Sequence, residues 1–313
     1  MKRCIITGGC GFIGSHVVDY LINNNHRAFI IDNMRLGKNH WGIGKENPVL
    51  HQQDILNFDA CTKIFDDIKP DVCIHLAAYH YIPFCEKNVY DAYALNLTGT
   101  LNVLECCRRS SVKNFFLAST GDVYAPGFQP HREVDLISPI YVYGHTKMLA
   151  EQACIKYYES SMSTSAFIIG RLFNAAGARE TNPHLLPEVV HQIANGKRRI
   201  EVGNTWPLRD FVDVRSMASI IAELTLNASG IDIVNIGSGS PQTVTHILNE
   251  LVSVLPFTVE IISVPEKQRP NDRPYLCPDI NRLFKLVGRS ALSFSVNTAK
   301  DMFNEFGVLN ERA

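Results

Sequence analysis

The chain predicts an α/β protein built on a doubly wound parallel sheet, and three features carry that prediction. Short apolar runs alternate with longer amphipathic stretches through the first half. A glycine-rich turn, Thr7-Gly8-Gly9-Cys10-Gly11-Phe12-Ile13-Gly14, follows the first run at once, and an acid, Asp32, closes the second. Strand and helix alternating in this way give parallel strands with helices on both faces.

Lys2 to Ile6 reads as a short buried strand. The glycine turn then opens a helix with apolar positions Phe12, Val17, Val18, Leu21 and Ile22. Ala28 to Ile31 is the next strand, ending at Asp32-Asn33, and Val49 to His51 begins a third that ends near Asp54-Ile55. Val72-Cys73-Ile74-His75-Leu76 and Phe115-Phe116-Leu117-Ala118 are two more, each bounded by polar turns. Tyr93 to Arg109 carries a helical pattern between them. A Lys147–Ser160 helix precedes a sixth strand, Ser165 to Leu172. From Asn174 the rhythm breaks: Pro183, Pro187, Pro207, Pro241, Pro256, Pro265, Pro270, Pro274 and Pro278 punctuate shorter elements. The expected organisation is a nucleotide-binding Rossmann domain over 1–173. A smaller, mainly substrate-binding portion over 174–313 is expected to interleave with it.

The turn satisfies two spacings at once, Gly8-x-x-Gly11-x-x-Gly14 and Gly9-x-Gly11-x-x-Gly14. Glycines permit a tight turn and a close backbone approach to a pyrophosphate, which then sits on a helix amino terminus. The motif gains weight because it follows a strand and opens a helix. Asp32 is placed to accept hydrogen bonds from an adenosine ribose and to repel a 2′-phosphate, which favours NAD over NADP; Arg35 nearby pulls the other way. Asp54-Ile55, a short polar–apolar pair, suits the flank of an adenine.

The chain has 313 residues, 46% hydrophobic and 19% charged, with a net charge of −1. No global basic field points to nucleic acid or an anionic membrane. No window approaches the ~18 apolar residues of a membrane span. The amino-terminal apolar stretch runs straight into the glycine turn, so it reads as a strand and not a signal peptide. Nine cysteines without a Cys-x-x-Cys pair fit reduced thiols and a cytoplasmic location. Cys106-Cys107 reads as helix packing. Cys10 is either a reactive thiol or, the favoured reading, a small space-filling side chain.

The chemistry is announced by Tyr143-Gly144-His145-Thr146-Lys147. On a helix, residues four apart project from the same face. A phenol is a poor base at neutral pH, with an ordinary pKa of ~10. A lysine one turn away is expected to stabilise the phenolate and bring that value toward the working range. A tyrosinate beside a nicotinamide can take the proton from a sugar or alcohol hydroxyl while hydride leaves the same carbon.

Together these residues resemble the extended short-chain dehydrogenases/reductases, specifically the NAD-dependent nucleotide-sugar epimerases and dehydratases, over nearly the whole chain. The resemblance runs through the glycine turn, Asp32, His75-Leu76-Ala77-Ala78, Asn96 with Gly99-Thr100, Ser119-Thr120 before Val123-Tyr124, and Tyr143/Lys147 followed by Glu151. It continues through Arg171-Leu172-Phe173-Asn174, Arg209-Asp210-Phe211-Val212-Asp213-Val214 and Arg269-Pro270-Asn271-Asp272. It implies that Thr120 works beside Tyr143 on the oxygen at sugar C4. It also implies that Gly8, Gly11, Phe12, Ile13, Gly14, Asp32, Asn33, Asp54, Ile55, Leu76, Ala77, Ala78 and Asn96, with Tyr143 and Lys147, hold NAD. Asn174, Arg209 and Arg269 are implied ligands of a nucleotide-diphosphate sugar; guanidinium groups make bidentate, permanently charged phosphate contacts.

The shared first step of that family is oxidation at C4 to a 4-keto sugar. A C4 epimerase then needs only a rotated ketone and returned hydride. A 4,6-dehydratase needs a base for the C5 proton and help for the leaving C6 hydroxyl. Its usual Thr-Asp-Glu or Thr-Ser-Glu is here Thr120-Gly121-Asp122. Asp122 supplies a shorter carboxylate and Gly121 no acid, so Asp122 is either a working base or a brace for its loop. C4 epimerisation of a UDP-sugar leads. A 4,6- or 5,6-type dehydratase and a uronic acid decarboxylase stay open. A 4-ketoreductase is disfavoured by Asp32, and a non-catalytic NAD-binding regulator by the intact Thr–Tyr–Lys set.

His80 and Tyr81, in the aromatic segment after the cofactor strand, are substrate-contact candidates or members of a buried aromatic cluster. His145 reads as packing or solvent-facing. No His-x-x-x-His with a nearby carboxylate occurs, so no metal is expected. The resemblance suggests a homodimer through the helices around 93–109 and 146–160, whose apolar faces include Leu97, Leu101, Leu104, Leu149 and Ala153.

Overall fold

Seven apolar runs form one parallel sheet in the computed structural model, which describes residues 1–41, 48–180, 182–269 and 272–309. Pro270 and Asn271 of the arginine motif lie outside the described residues. The first half reads β1 Arg3–Thr7, α1 Phe12–Asn23, β2 Arg27–Asp32, β3 Val49–Gln52, α2 Phe58–Ile68, β4 Val72–His75, α3 Ile82–Lys87, α4 Val89–Tyr93, α5 Thr100–Arg109, β5 Asn114–Thr120, α6 Val142–Ser161 and β6 Ala166–Leu172. The second half adds β7 Asn174–Ala176, α7 Leu185–Ala194, β8 Arg199–Val202, β9 Leu208–Arg209, β10 Phe211–Asp213, α8 Val214–Leu226, β11 Ile231–Ile236, β12 Gln242–Thr243, α9 Val244–Val252, β13 Glu260–Ser263, β14 Tyr275–Leu276, α10 Asn281–Val287 and α11 Val296–Asn304.

The sheet order is β11-β6-β5-β4-β1-β2-β3, with every pairing parallel. β4 and β5 are buried along their whole length, as strands covered on both faces must be. Val17, Val18 and Leu21 of α1 meet Met217, Ile220 and Ile221 of α8 on one face. Phe65 of α2, Val103 and Leu104 of α5 and Ala150 and Cys154 of α6 cover the other. The winding changes direction between β1 and β4. In open α/β sheets the carboxyl ends of strands at such a switch point frame the ligand crevice.

Residues after 173 divide their contacts. β11 extends the main sheet beyond β6 and α8 lies against α1. α7, β8, α9 and α11 close around a separate core that includes Val189, Ile200, Leu248 and Phe303.

Two helices differ from their sequence patterns. α6 begins at Val142 and so carries Tyr143 as well as Lys147. The 93–109 stretch is broken by a π-helical turn, Ala94–Gly99, between α4 and α5. There the Asn96 carbonyl accepts from Thr100 Oγ1 at 2.7 Å, and Thr100 also meets His75 Nε2 at 2.9 Å. Those buried polar bonds hold the widened turn against the end of β4. Leu104, expected on an intersubunit face, is fully buried in this chain's own core, whereas Leu97, Leu101, Leu149 and Ala153 are half-buried. All nine cysteines are buried and unbridged, and burial pushes Cys10 up to about 12, which makes it a packing residue. Among the described residues no helix is long and apolar enough to cross a membrane.

One buried ion pair ties α6 to the sheet. Arg171 on β6 grips Glu151 of α6 through both carboxylate oxygens, Nε at 3.0 Å and Nη2 at 2.8 Å. Ser119 donates to the same carboxylate. The remaining guanidinium nitrogen bonds the Tyr124 hydroxyl and the Glu133 carbonyl, each at 2.9 Å. Burial opposes the Arg171 charge, but the Glu151 carboxylate outweighs it and holds Arg171 above its ordinary value. Removing one partner of such a pair strands a buried charge. Glu151→Gln should therefore cost about 3–5 kcal/mol in urea unfolding. An unchanged midpoint would show that the pair does not hold the helix.

Candidate active site

The carboxyl ends of β1, β4, β5 and β6 open into a cleft of about 740 Å³, closed from the other side by residues of α7, β9 and the segment near β14. Gly8 stands at φ +71°, and a Cβ there would meet the Ala77 nitrogen at 2.7 Å. A Cβ on Gly14 would lie 2.1 Å from the Gly8 carbonyl oxygen. The loop is thus folded down to bare backbone. Gly11 is the N-cap of α1 and offers no capping side chain, which suits a helix amino terminus turned to a phosphate. Gly8, Gly11, Phe12, Ile13 and Gly14 all line the cleft.

Asp32, Asn33, Asp54 and Ile55 line one end. Asp32 accepts from the Cys10 and Met34 backbone N–H groups at 3.0 and 2.8 Å, which hold its carboxylate at the strand end. Burial raises its proton affinity, and those two bonds act against the rise. Asn33 Nδ2 donates to Asp54 at 2.9 Å, joining the ends of β2 and β3. Arg35, whose charge would suit a 2′-phosphate, is engaged with Tyr79, bonding its hydroxyl and lying 5.4 Å over its ring. Leu76, Ala77 and Ala78 form the middle of the floor. Asn96, expected to contact the cofactor, stands behind this floor. It is fully buried, and its amide is committed to the Tyr79 backbone at 2.8 and 2.9 Å and to Thr146 at 3.0 Å. It fixes the loop after β4 to α6.

Thr120, at the end of β5, shares a hydrogen bond with Tyr143, and Lys147 lies one turn further along α6. A Cβ at Gly144 would come within 2.5 Å of the Asp122 carbonyl oxygen. Only glycine lets α6 approach the turn after β5 so closely. Burial pushes the Tyr143 phenol above its ordinary value; the Asp122 carboxylate adds to this and the Thr120 hydroxyl opposes it. Burial brings Lys147 down to about 8. The expected lowering of Tyr143 is therefore not present in the protein alone, because desolvation outweighs the Thr120 hydrogen bond that opposes it.

Asp122 is held by Arg273, a residue the sequence reading did not single out. Arg273 Nη2 donates to the Asp122 carbonyl at 2.9 Å and Nε lies 3.5 Å from its carboxylate. Arg273 is only 3% exposed. Burial raises the proton affinity of Asp122, opposed by Arg273, Arg209 and Arg269 in that order. Arg209 is paired with Asp272 at 2.7 Å. Asn174, Arg209 and Arg269 line this end of the cleft, and the buried Asn174 Oδ1 has no hydrogen-bond partner.

His80 and Tyr81 also line the cleft. The His80 ring stacks on His184 with centroids 5.2 Å apart and planes 8° apart, and Tyr81 meets His184 edge-on at 5.5 Å. Burial lowers His80 to about 4 and His184 to about 3, so both imidazoles are neutral. Glu180 completes a cluster with these two histidines. A search for local metal-ligand spacing misses it, since a hundred residues of chain separate His80 from Glu180.

Lys147 keeps its proton to about 10.5 when unfolded but only to about 8 when folded. Between those values the unfolded chain binds more protons, so this group makes stability rise with pH there. In cofactor-free protein at pH 7, Lys147→Met should be more stable than wild type by roughly 1–3 kcal/mol. That advantage should shrink as pH is raised from 8 toward 10.5. A pH-independent difference in urea midpoints would refute the assignment.

The comparisons with known proteins agree with this geometry. A profile of the NAD dependent epimerase/dehydratase family matches residues 4–237. The chain is 27% identical over 277 residues to a GDP-6-deoxy-D-mannose reductase of Pseudomonas aeruginosa, covering 86% of this chain and 85% of that one. It is 28% identical to a UDP-N-acetyl-alpha-D-glucosaminuronate decarboxylase of Bacillus cytotoxicus, covering 90% of each. A UDP-glucose 4-epimerase of Thermotoga maritima, solved with UDP-glucose, superposes with a TM-score of 0.85 at 25% identity, covering 97% of this chain and 98% of that one. Glycine turn, Asp32 and the Thr120–Tyr143–Lys147 group fit NAD, the cofactor of the family. The chain is an enzyme of the extended short-chain dehydrogenase/reductase type and belongs to the NAD-dependent epimerase/dehydratase family.

Proposed function

We propose that the protein is an NAD-dependent nucleotide-sugar 4-epimerase, acting on a UDP-sugar through a transient 4-keto intermediate. The observation that carries this reading is the buried Thr120–Tyr143–Lys147 group beside an Asp122 held by Arg273, with no acid at Gly121. Thr120 orients the C4 oxygen toward Tyr143, whose phenolate takes the hydroxyl proton as the ketone forms and returns it on reduction. NAD, when bound, accepts the C4 hydride and gives it back. Lys147 supplies the positive charge that favours the phenolate. Asn174, Arg209 and Arg269 would hold the diphosphate, and His80 and Tyr81 border the sugar. An inverted product needs only that the ketone turn between the two hydride steps. The Thermotoga relative's UDP-glucose complex supports the choice of uridine.

Dehydration is the second reading, favoured by the position of Asp122 in the cleft and its raised proton affinity. Proton NMR with UDP-hexoses and NAD in deuterated water separates the two. Inversion at C4 without deuterium uptake is expected. Deuterium at C5 or C6, with a new methyl or alkene signal, would overturn the epimerase reading. Tyr143→Phe should lower kcat by about 10²–10⁴ while NAD stays bound, and near-normal turnover would remove Tyr143 from the chemistry.

A further inference from the structure

We propose that His80, Glu180 and His184 bind a divalent transition-metal ion of the zinc class at the sugar end of the cleft. The three side chains come from two loops, one after β4 and one between β7 and α7, and each borders the cleft. Their ligand atoms all lie within 4.8 Å of one another. Tetrahedral zinc, at about 2.0–2.2 Å from each donor, draws such atoms to roughly 3.5 Å apart. Binding would close that difference by reorienting the side chains.

The two ring nitrogens differ: His80 Nε2 would have to exchange its bond from Asn182 for the metal, whereas His184 Nε2 has no partner to give up. Asn182 Nδ2 lies 3.2 Å from His80 Nε2, and an amide nitrogen can only donate, so Nε2 carries a lone pair. The other nitrogen of His80 is left to its bond with the Ala78 backbone. A histidine that donates from one nitrogen to a carbonyl and presents the other is the usual metal-binding arrangement. His184 Nε2 is buried and has no hydrogen-bond partner. The His80 and His184 rings lie 5.2 Å apart with planes 8° apart, so one ring must turn for both lone pairs to meet one ion. Glu180 then contributes the negative charge that a dication needs beside them. Two imidazoles and a carboxylate suit zinc, and three protein ligands leave a coordination position open toward the cleft. The assignment does not depend on which sugar reaction the enzyme performs.

The test is calorimetric titration of chelator-stripped, NAD-loaded protein with zinc chloride, with cobalt chloride as a visible-absorption probe. One equivalent of zinc per chain is expected, together with a cobalt d–d band. His184→Ala and the isosteric Glu180→Gln should each weaken zinc at least about tenfold and remove the band, at unchanged melting temperature and NAD binding. Absence of stoichiometric binding by wild type would overturn the proposal. So would equal binding by a triple variant, His80→Ala/Glu180→Gln/His184→Ala.

Discussion

The two-pronged ion pair between Arg171 and Glu151 is the interaction on which the site's geometry rests. It joins β6 to α6, and α6 carries Tyr143 and Lys147. The network continues from Arg171 to Tyr124 and from the Tyr124 hydroxyl to Asn235 on β11 at 2.7 Å. Asn235 in turn donates to the His131 carbonyl at 2.7 Å. One buried cation thus fixes a helix of the first half, a strand of the second and the long loop between β5 and α6. In a low-dielectric interior such a network either satisfies every member or fails, which makes it specific as well as strong.

A second polar relay fixes the opposite wall. Thr7, His75 and Thr100 form a buried chain, with His75 lowered to about 3 by burial and then by Lys147. Beside it Asn96 clamps the backbone of Tyr79 to Thr146 of α6. The floor beneath the cofactor and the helix bearing the reactive pair are therefore parts of one bonded frame. Within it, Tyr143 and Lys147 are both desolvated, each disfavoured in its charged form. The protein alone holds them poised and does not by itself create the phenolate.

Much of this was legible beforehand because it is local. Strand alternation read correctly from a few adjacent residues, the glycine turn and Asp32 fall at strand ends as their spacing implied, and the switch point follows from strand order. Tyr143 and Lys147 read as a pair because four residues make about one helical turn. What stayed hidden was non-local. Asn96 stands in a recognisable motif, but its amide's partners lie on a loop seventeen residues away in sequence. The proton affinity of Tyr143 was judged from the charge of Lys147 alone, whereas burial, which spacing does not reveal, raises it. Arg273 stands next to Asp272 in sequence, but its engagement with Asp122 spans 151 residues.

The sequence by itself therefore determined the parallel sheet, the glycine turn after its first strand and the placing of Tyr143 and Lys147 one helical turn apart, because each is encoded in short-range periodicity or spacing. Tertiary structure alone decided how those groups are tuned. It placed Asp122 under Arg273, matched Arg209 with Asp272, and brought His80 onto His184 across a hundred residues of chain. Burial and pairing depend on what the rest of the fold brings near, and no local stretch of sequence carries that information.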